Sequence, residues 1–164
     1  MIILVSDTSI LIDLERGGLL EAAFSCGLTM VVPDLLYERE LEPENGALLR
    51  KLGLGVVALT PQEVALAQQL RAERKALSLA DCFALSCATR AGHALVTGDK
   101  ILRAEAMARL GTVYGLLWVL DQMAASGGVA TTLLYEGLNR ISSHPRCRLP
   151  HADVRARLNA WSQA

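Results

Sequence analysis

Short apolar runs alternate along this chain with stretches of helical periodicity. Runs at 2–6, 28–32, 54–59, 94–98 and 112–114 have the length and bounds of buried strands. Their alternation with helical patterns predicts a parallel sheet with helices on both faces. Cap residues fix several boundaries. Thr60-Pro61-Gln62-Glu63 combines an N-cap, a first-turn proline and a returning glutamate ahead of Val64-Ala65-Leu66-Ala67. Ser78-Leu79-Ala80-Asp81 has the same form, with its helix expected to end at Gly92, and the helix opened by Asp99 is expected to end at Gly111. Beyond the last short strand the pattern is helical only. One helix begins in Gly115-Leu116-Leu117-Trp118-Val119-Leu120 and is broken by Ser126-Gly127-Gly128. Two more are expected over 129–142 and about 150–161, separated by His144-Pro145 and Pro150. The division that follows is a domain over 1–126 and a helical C-terminal extension over 127–164 packed on it.

Composition narrows the core. The chain has 164 residues, of which 52% are hydrophobic and only 4% aromatic. A single domain of this size buries about two-thirds of its unfolded surface without disulfides or a structural metal. With few aromatics its core is built from Leu, Ala and Val, which suits helices packed on a small sheet. No apolar run approaches the roughly 20 residues of a membrane span, so no membrane association is expected. Met1 leads straight into a strand without a secretory pattern, and Cys26, Cys82, Cys87 and Cys147 have no Cys-x-x-Cys spacing. Both points predict a cytoplasmic protein with buried, reduced thiols.

Net charge is −1, which by itself argues against a dedicated nucleic-acid binder. The distribution is uneven. Residues 1–138 carry 11 basic and 16 acidic side chains, a net of −5, whereas 139–164 carry Arg140, Arg146, Arg148, Arg155 and Arg157 against Asp153, a net of +4. That tail either contacts phosphate or an acidic partner, or lines a solvated helix face.

Candidate chemistry lies in four carboxylates. Asp7 follows Ile2-Ile3-Leu4-Val5-Ser6, Asp99 follows Ala94-Leu95-Val96-Thr97-Gly98, and Glu38 stands five residues beyond Pro33, which closes the run from Leu28. Asp81 falls in the first turn of the helix opened by Ser78. An acid that ends an apolar strand is presented at the sheet's carboxyl edge, where open α/β sheets place their ligands. Each also has a simpler explanation: Asp7 and Asp99 as N-caps, Asp81 as part of a capping box, Glu38 as a solvated member of Glu38-Arg39-Glu40-Leu41-Glu42. Capping does not explain why acids recur at the same edge of successive strands. Clustered carboxylates repel unless protons or a cation compensate them, and hard oxygen donors favour Mg²⁺ or Mn²⁺ over zinc.

Ser6-Asp7-Thr8-Ser9-Ile10-Leu11-Ile12, Val32-Pro33-Asp34-Leu35-Leu36-Tyr37-Glu38, Leu77-Ser78-Leu79-Ala80-Asp81 and Leu95-Val96-Thr97-Gly98-Asp99-Lys100-Ile101-Leu102 together resemble, in order and spacing, the signatures of PIN domains, the nuclease domains best known as VapC-type toxins. The resemblance covers residues 2 to about 122. It implies a three-layer α/β/α fold on a short parallel sheet of order 3-2-1-4-5, with Asp7 and Asp99 flanking the switch point. It further implies that Asp7, Glu38, Asp81 and Asp99 form a catalytic quartet holding one or two Mg²⁺ or Mn²⁺ ions, supported by Ser9 and Thr97. The implied activity is cleavage of single-stranded RNA by a metal-activated water, with 5′-phosphate and 3′-hydroxyl products. The implied partners are a small antitoxin and a second copy in a homodimer. Lys100 and Arg103 stand near enough in sequence to assist with phosphate.

The second carboxylate has an alternative in Glu40, which a small shift of the helix start would substitute for Glu38; spacing from Pro33 favours Glu38. Trp118, amid apolar residues at helical spacing, is expected to anchor the core. Two rival functions remain open: a non-catalytic PIN-shaped interaction module, and a metal-dependent phosphatase. The phosphatase reading is weakened because Asp7-Thr8-Ser9 lacks a second Asp two residues on.

Overall fold

The structure is a computed structural model describing residues 1–163; Ala164, the last residue of the expected extension, lies outside the described residues. Four strands, β1 (Ile3–Ser6), β2 (Thr29–Pro33), β3 (Gly55–Val57) and β4 (His93–Val96), form one parallel sheet of order β3-β2-β1-β4. β1 pairs with β2 through Leu4↔Met30 and with β4 through Val5↔Leu95, and β2 pairs with β3 through Val32↔Val56, so both central strands are enclosed. Leu4, Val5, Met30, Val32, Leu95 and Val96 are fully buried, as continuous apolar strands require when both faces are covered. The fifth expected strand is reduced to one parallel bridge, Val96↔Tyr114. Tyr114 N–H donates to the Leu95 carbonyl, and the Tyr114 carbonyl accepts from Thr97 N–H, which places the segment beside β4 as the order 3-2-1-4-5 requires.

Among the described residues ten helices surround the sheet. The chain runs outward from β1 to β3 along one path and returns from β3 to β4 and onward along a second, with helices on both. On the first path lie α1 (Thr8–Arg16), α2 (Leu20–Ser25), α3 (Asp34–Leu36) with a π-helical turn over Tyr37–Leu41, and α4 (Gly46–Leu52). On the second lie α5 (Pro61–Glu73), α6 (Leu79–Cys87) and α7 (Lys100–Leu110). α6 packs against β1, β2, β4, α5 and α7, which is why Cys82 through Cys87 are all buried. It stops at Cys87, short of the expected Gly92; Gly92 instead takes a positive φ of 74° in the turn that enters β4. Both expected capping boxes are present, with Thr60 and Ser78 as caps, and α7 ends on Gly111 in the left-handed conformation.

α8 (Leu116–Ala125), α9 (Thr131–Ser143) and α10 (His151–Ser162) complete the chain close to their expected positions. α9 lies on α1 at a contact between two glycines. A Cβ added to Gly137 would stand 2.6 Å from Leu19 Cδ1 and 3.0 Å from the Gly17 carbonyl oxygen, while one added to Gly17 would meet Ile141 Cδ1 at 2.8 Å. The backbones therefore approach directly, and Leu134, Leu138 and Ile141 are drawn into the common core. α10 is held back to α8 by Arg157, whose guanidinium donates to both oxygens of Asp121 at 2.8 and 2.7 Å. Cys82 and Cys87 are buried thiols pushed up to about 11 by desolvation, whereas Cys26 and Cys147 are only half-buried. No helix among the described residues is long and apolar enough to cross a membrane.

Candidate active site

β1 ends at Ser6 and its next residue, Asp7, turns the chain into α1 while remaining 2% exposed. A buried anion needs donors, and three residues supply them. Ser9 Oγ and the Ile10 N–H donate to Asp7 Oδ1 at 2.7 and 3.2 Å, and the Thr97 hydroxyl donates to Oδ2. Each hydroxyl is itself oriented by the loop after β4: Gly98 N–H donates to Ser9 Oγ at 3.0 Å and Asp99 N–H to Thr97 Oγ1 at 2.9 Å. Burial nevertheless wins over these hydrogen bonds, and with a smaller contribution from the Asp81 charge it raises the Asp7 carboxyl to about 6.

Asp99 is exposed and Asp81 half-buried. One oxygen of each serves its own helix: Asp99 Oδ1 accepts from Leu102 N–H at 2.8 Å, and Asp81 Oδ2 accepts from Ser78 N–H at 3.0 Å. Among the described residues the second oxygen of each has no protein donor. Capping and ligation are thus compatible in one side chain, which removes the opposition between the two readings of these acids. Asp81 is raised above the usual carboxylate range, first by burial and then by repulsion from Asp99 and Glu40. Its neighbours in charge are therefore Asp7, Asp99 and Glu40.

Of the two glutamates weighed for the second position, Glu40 is the one that touches this group. Both glutamates are exposed, but Thr8, the residue after Asp7, donates its hydroxyl to Glu40 Oε1, whereas Glu38 has no hydrogen bond to the protein among the described residues. The cause is the π-helical turn over Tyr37–Leu41, closed by Glu42 N–H donating to the Tyr37 carbonyl at 2.8 Å. A π turn holds more residues than an α turn, so positions counted from Pro33 on α-helical spacing face the wrong way, and such turns recur at functional sites. Asp7, Asp81, Asp99 and Glu40 are neighbours rather than a closed cluster: among the described residues no three Asp, Glu, His or Cys side chains are already drawn into chelating positions.

Three further residues at the site were not singled out as functional in the sequence. Thr8 positions Glu40. Asp13, one turn beyond Ser9 on the same face of α1, is half-buried and raised by burial against the opposing pull of Arg16 and His144. Gly115 leaves room for Arg103, whose guanidinium lies where a Cβ at 115 would fall and donates to the Thr97 carbonyl at 3.3 Å. The i, i+4 spacing of Ser9 and Asp13 was readable; the Gly115 contact was not, because it joins α7 to a distant loop.

A parallel α/β sheet with acids beyond the carboxyl ends of its strands, beside the β1–β4 switch point, belongs to the open α/β class that places its ligands at this edge. Within that class, the family model described as "DUF3368: PIN domain" matches residues 3–163, and the chain belongs to this family. The match takes in α9 and α10 as well as the sheet. PIN domains are in general nucleases, and they typically use divalent metals. Comparison with curated proteins and with solved structures finds no significant match.

Proposed function

We propose that this protein is a Mg²⁺- or Mn²⁺-dependent endoribonuclease acting on single-stranded RNA, working as the toxin of a toxin–antitoxin pair and as a homodimer. The observation that carries the catalytic part is the clamp on Asp7: a fully buried carboxylate fixed by two hydroxyls and facing the charge of Asp81, which in turn faces Asp99 and Glu40. Such an arrangement costs stability by itself and suits a site whose charge is balanced by a bound cation. The donor set is all carboxylate oxygen, which fits a hard divalent ion. Asp7, Asp81, Asp99 and Glu40 are the residues that would hold it, with Glu40 in the place expected of Glu38. When bound, a divalent ion lowers the pKa of a coordinated water and neutralises charge on the phosphate oxygens. Ser9 and Thr97 keep the Asp7 oxygens fixed, and Arg103, anchored on Thr97, offers a fixed positive charge beside them.

The test is cleavage of a labelled single-stranded oligoribonucleotide by the purified full chain. Cutting in Mg²⁺ or Mn²⁺ that stops on chelation and returns on adding the ion back is expected, with 5′-phosphate ends. Absence of cleavage in both ions by folded, monodisperse protein would remove the nuclease assignment and leave the interaction-module reading. The toxin reading is checked separately, by growth arrest on expression and its relief in Asp7→Asn.

A further inference from the structure

A cleft of about 950 Å³ opens beside the acidic group, with Ser9 and Asp99 at its shared end. Its opposite wall is made by the segment joining α9 to α10, so it exists only because the C-terminal helices fold back onto the sheet domain. Its cations fall into two sets. Arg157 is committed to Asp121, and Arg16 lies 3.6 Å from Asp13, so both brace the walls. Arg103 is likewise held, on the Thr97 carbonyl, which leaves Lys100, Arg146 and Arg148 lining the cleft with no partner for their side chains among the described residues. Arg155, carrying the same charge, lies outside it. Tyr114 and Trp118 also line the cleft, stacked with ring centroids 3.9 Å apart and planes 14° from parallel. Trp118 is half-buried: it packs against the core as its neighbours predict and also forms part of the wall of this cleft.

Resting on the nuclease reading above, we infer that this cleft holds the stretch of single-stranded RNA adjoining the scissile phosphate, its phosphates on Lys100, Arg146 and Arg148 and a base against the Tyr114–Trp118 pair. The carboxylates repel a polyanion, so the chain must be gripped by cations placed beside them. These three cations are unpaired among the described residues and lie on the cleft that begins at Asp99. Half-exposed aromatic rings among cations form the combination that binds single strands without sequence readout, stacking against the base and ion pairing with the phosphate. An acidic peptide would meet the same cations, but continuity with the carboxylates favours the polymer whose backbone they would cut.

Binding of a fluorescein-labelled octauridylate to the full chain, with divalent ions chelated so that nothing is cut, tests the assignment. Affinity should fall with salt, and Arg146→Gln with Arg148→Gln should flatten the log–log slope by about 1.4, at roughly 0.7 for each phosphate no longer neutralised. Arg146→Lys with Arg148→Lys should restore it. Trp118→Leu should weaken binding roughly 5- to 100-fold with the slope unchanged, and Trp118→Phe should recover most of the loss. Circular dichroism and thermal melts identify any variant that fails to fold, and the Lys and Phe variants then carry the comparison. An unchanged slope and affinity in the Gln pair overturns the inference, as does tighter binding of a polyglutamate of equal charge. Octauridylate binding with this dependence supports the cleft even if the chain cuts no RNA, whereas RNA cleavage with an unchanged slope sinks the cleft and leaves the nuclease reading standing.

Discussion

The hydroxyl of Thr97 donates to the carboxylate of Asp7 from the neighbouring strand's end, 90 residues later in the chain, and accepts the backbone N–H of Asp99. One side chain therefore fixes the spacing between the acid that ends β1 and the acid that follows β4. Ser9 makes the second link, between the same carboxylate and Gly98 N–H. The two hydroxyls tie the switch point together at the place where parallel pairing stops.

Thr97→Val keeps the shape of this link and removes the hydroxyl. Residues that orient a metal ligand in this way are worth about 10- to 100-fold in activity or metal affinity. The variant should show cleavage reduced in that range while melting no more than about 3 kcal/mol less stable. Cleavage rates against metal concentration check it; an unchanged profile would detach Thr97 from the site.

Asp7 has a folded-state pKa above its unfolded one, so folding favours its protonated form. Its contribution is fully present below about pH 4 and is lost as pH rises through about 6. The shift of about two pK units corresponds to about 3 kcal/mol. In chelator, wild-type stability should fall between about pH 4.5 and 6.5 more than that of Asp7→Asn, which should be the more stable protein at about pH 7.5 and inactive. Asp81, also raised, acts in the same direction. Glu63, held down to about 2 chiefly by Arg90, acts in the opposite direction but below this window. Denaturant melts across pH check the difference.

Glu40→Gln should lower cleavage by about 10-fold or more, through removal of the charge beside Asp81 and the altered bond to Thr8. Glu38→Gln, at an exposed side chain, should stay within about twofold of wild type on the surface-site expectation. Equal reduction in both variants would mean that the π-helical turn does not set this register. Parallel cleavage assays on the two proteins decide it.

Gly137→Ala places a methyl between α9 and the Gly17–Leu19 backbone. Overpacking of this kind costs about 1–3 kcal/mol. Because the segment that follows α9 forms one wall of the cleft, the variant should also bind single strands more weakly than its melting point alone suggests. Gly128→Ala, at a glycine with more space around it, is the matched control, and comparison of their melts and binding curves checks the assignment.

Much of the sheet domain was determined by local sequence. Apolar runs of strand length placed β1, β2, β3 and β4, because a strand covered on both faces must be apolar throughout, and the capping boxes at Thr60 and Ser78 and the glycine at 111 marked helix ends through contacts within one turn. The positions of Asp7, Asp81 and Asp99 were legible for the same reason: each is a cap or strand end, and the cap survives in the folded protein beside whatever else the side chain does. Only the tertiary structure ties Glu40 rather than Glu38 to Thr8 and Asp81, since a π turn is closed by backbone bonds that no periodicity announces. It alone sorted the tail's arginines, committing Arg157 to Asp121 and leaving Arg146 and Arg148 on the cleft, because charge is a property of the sequence but pairing depends on which helices meet. Trp118 was legible only in part on the same ground: helical spacing placed it against the core, while its second role, as a wall of the cleft, depends on how the segment between α9 and α10 folds back.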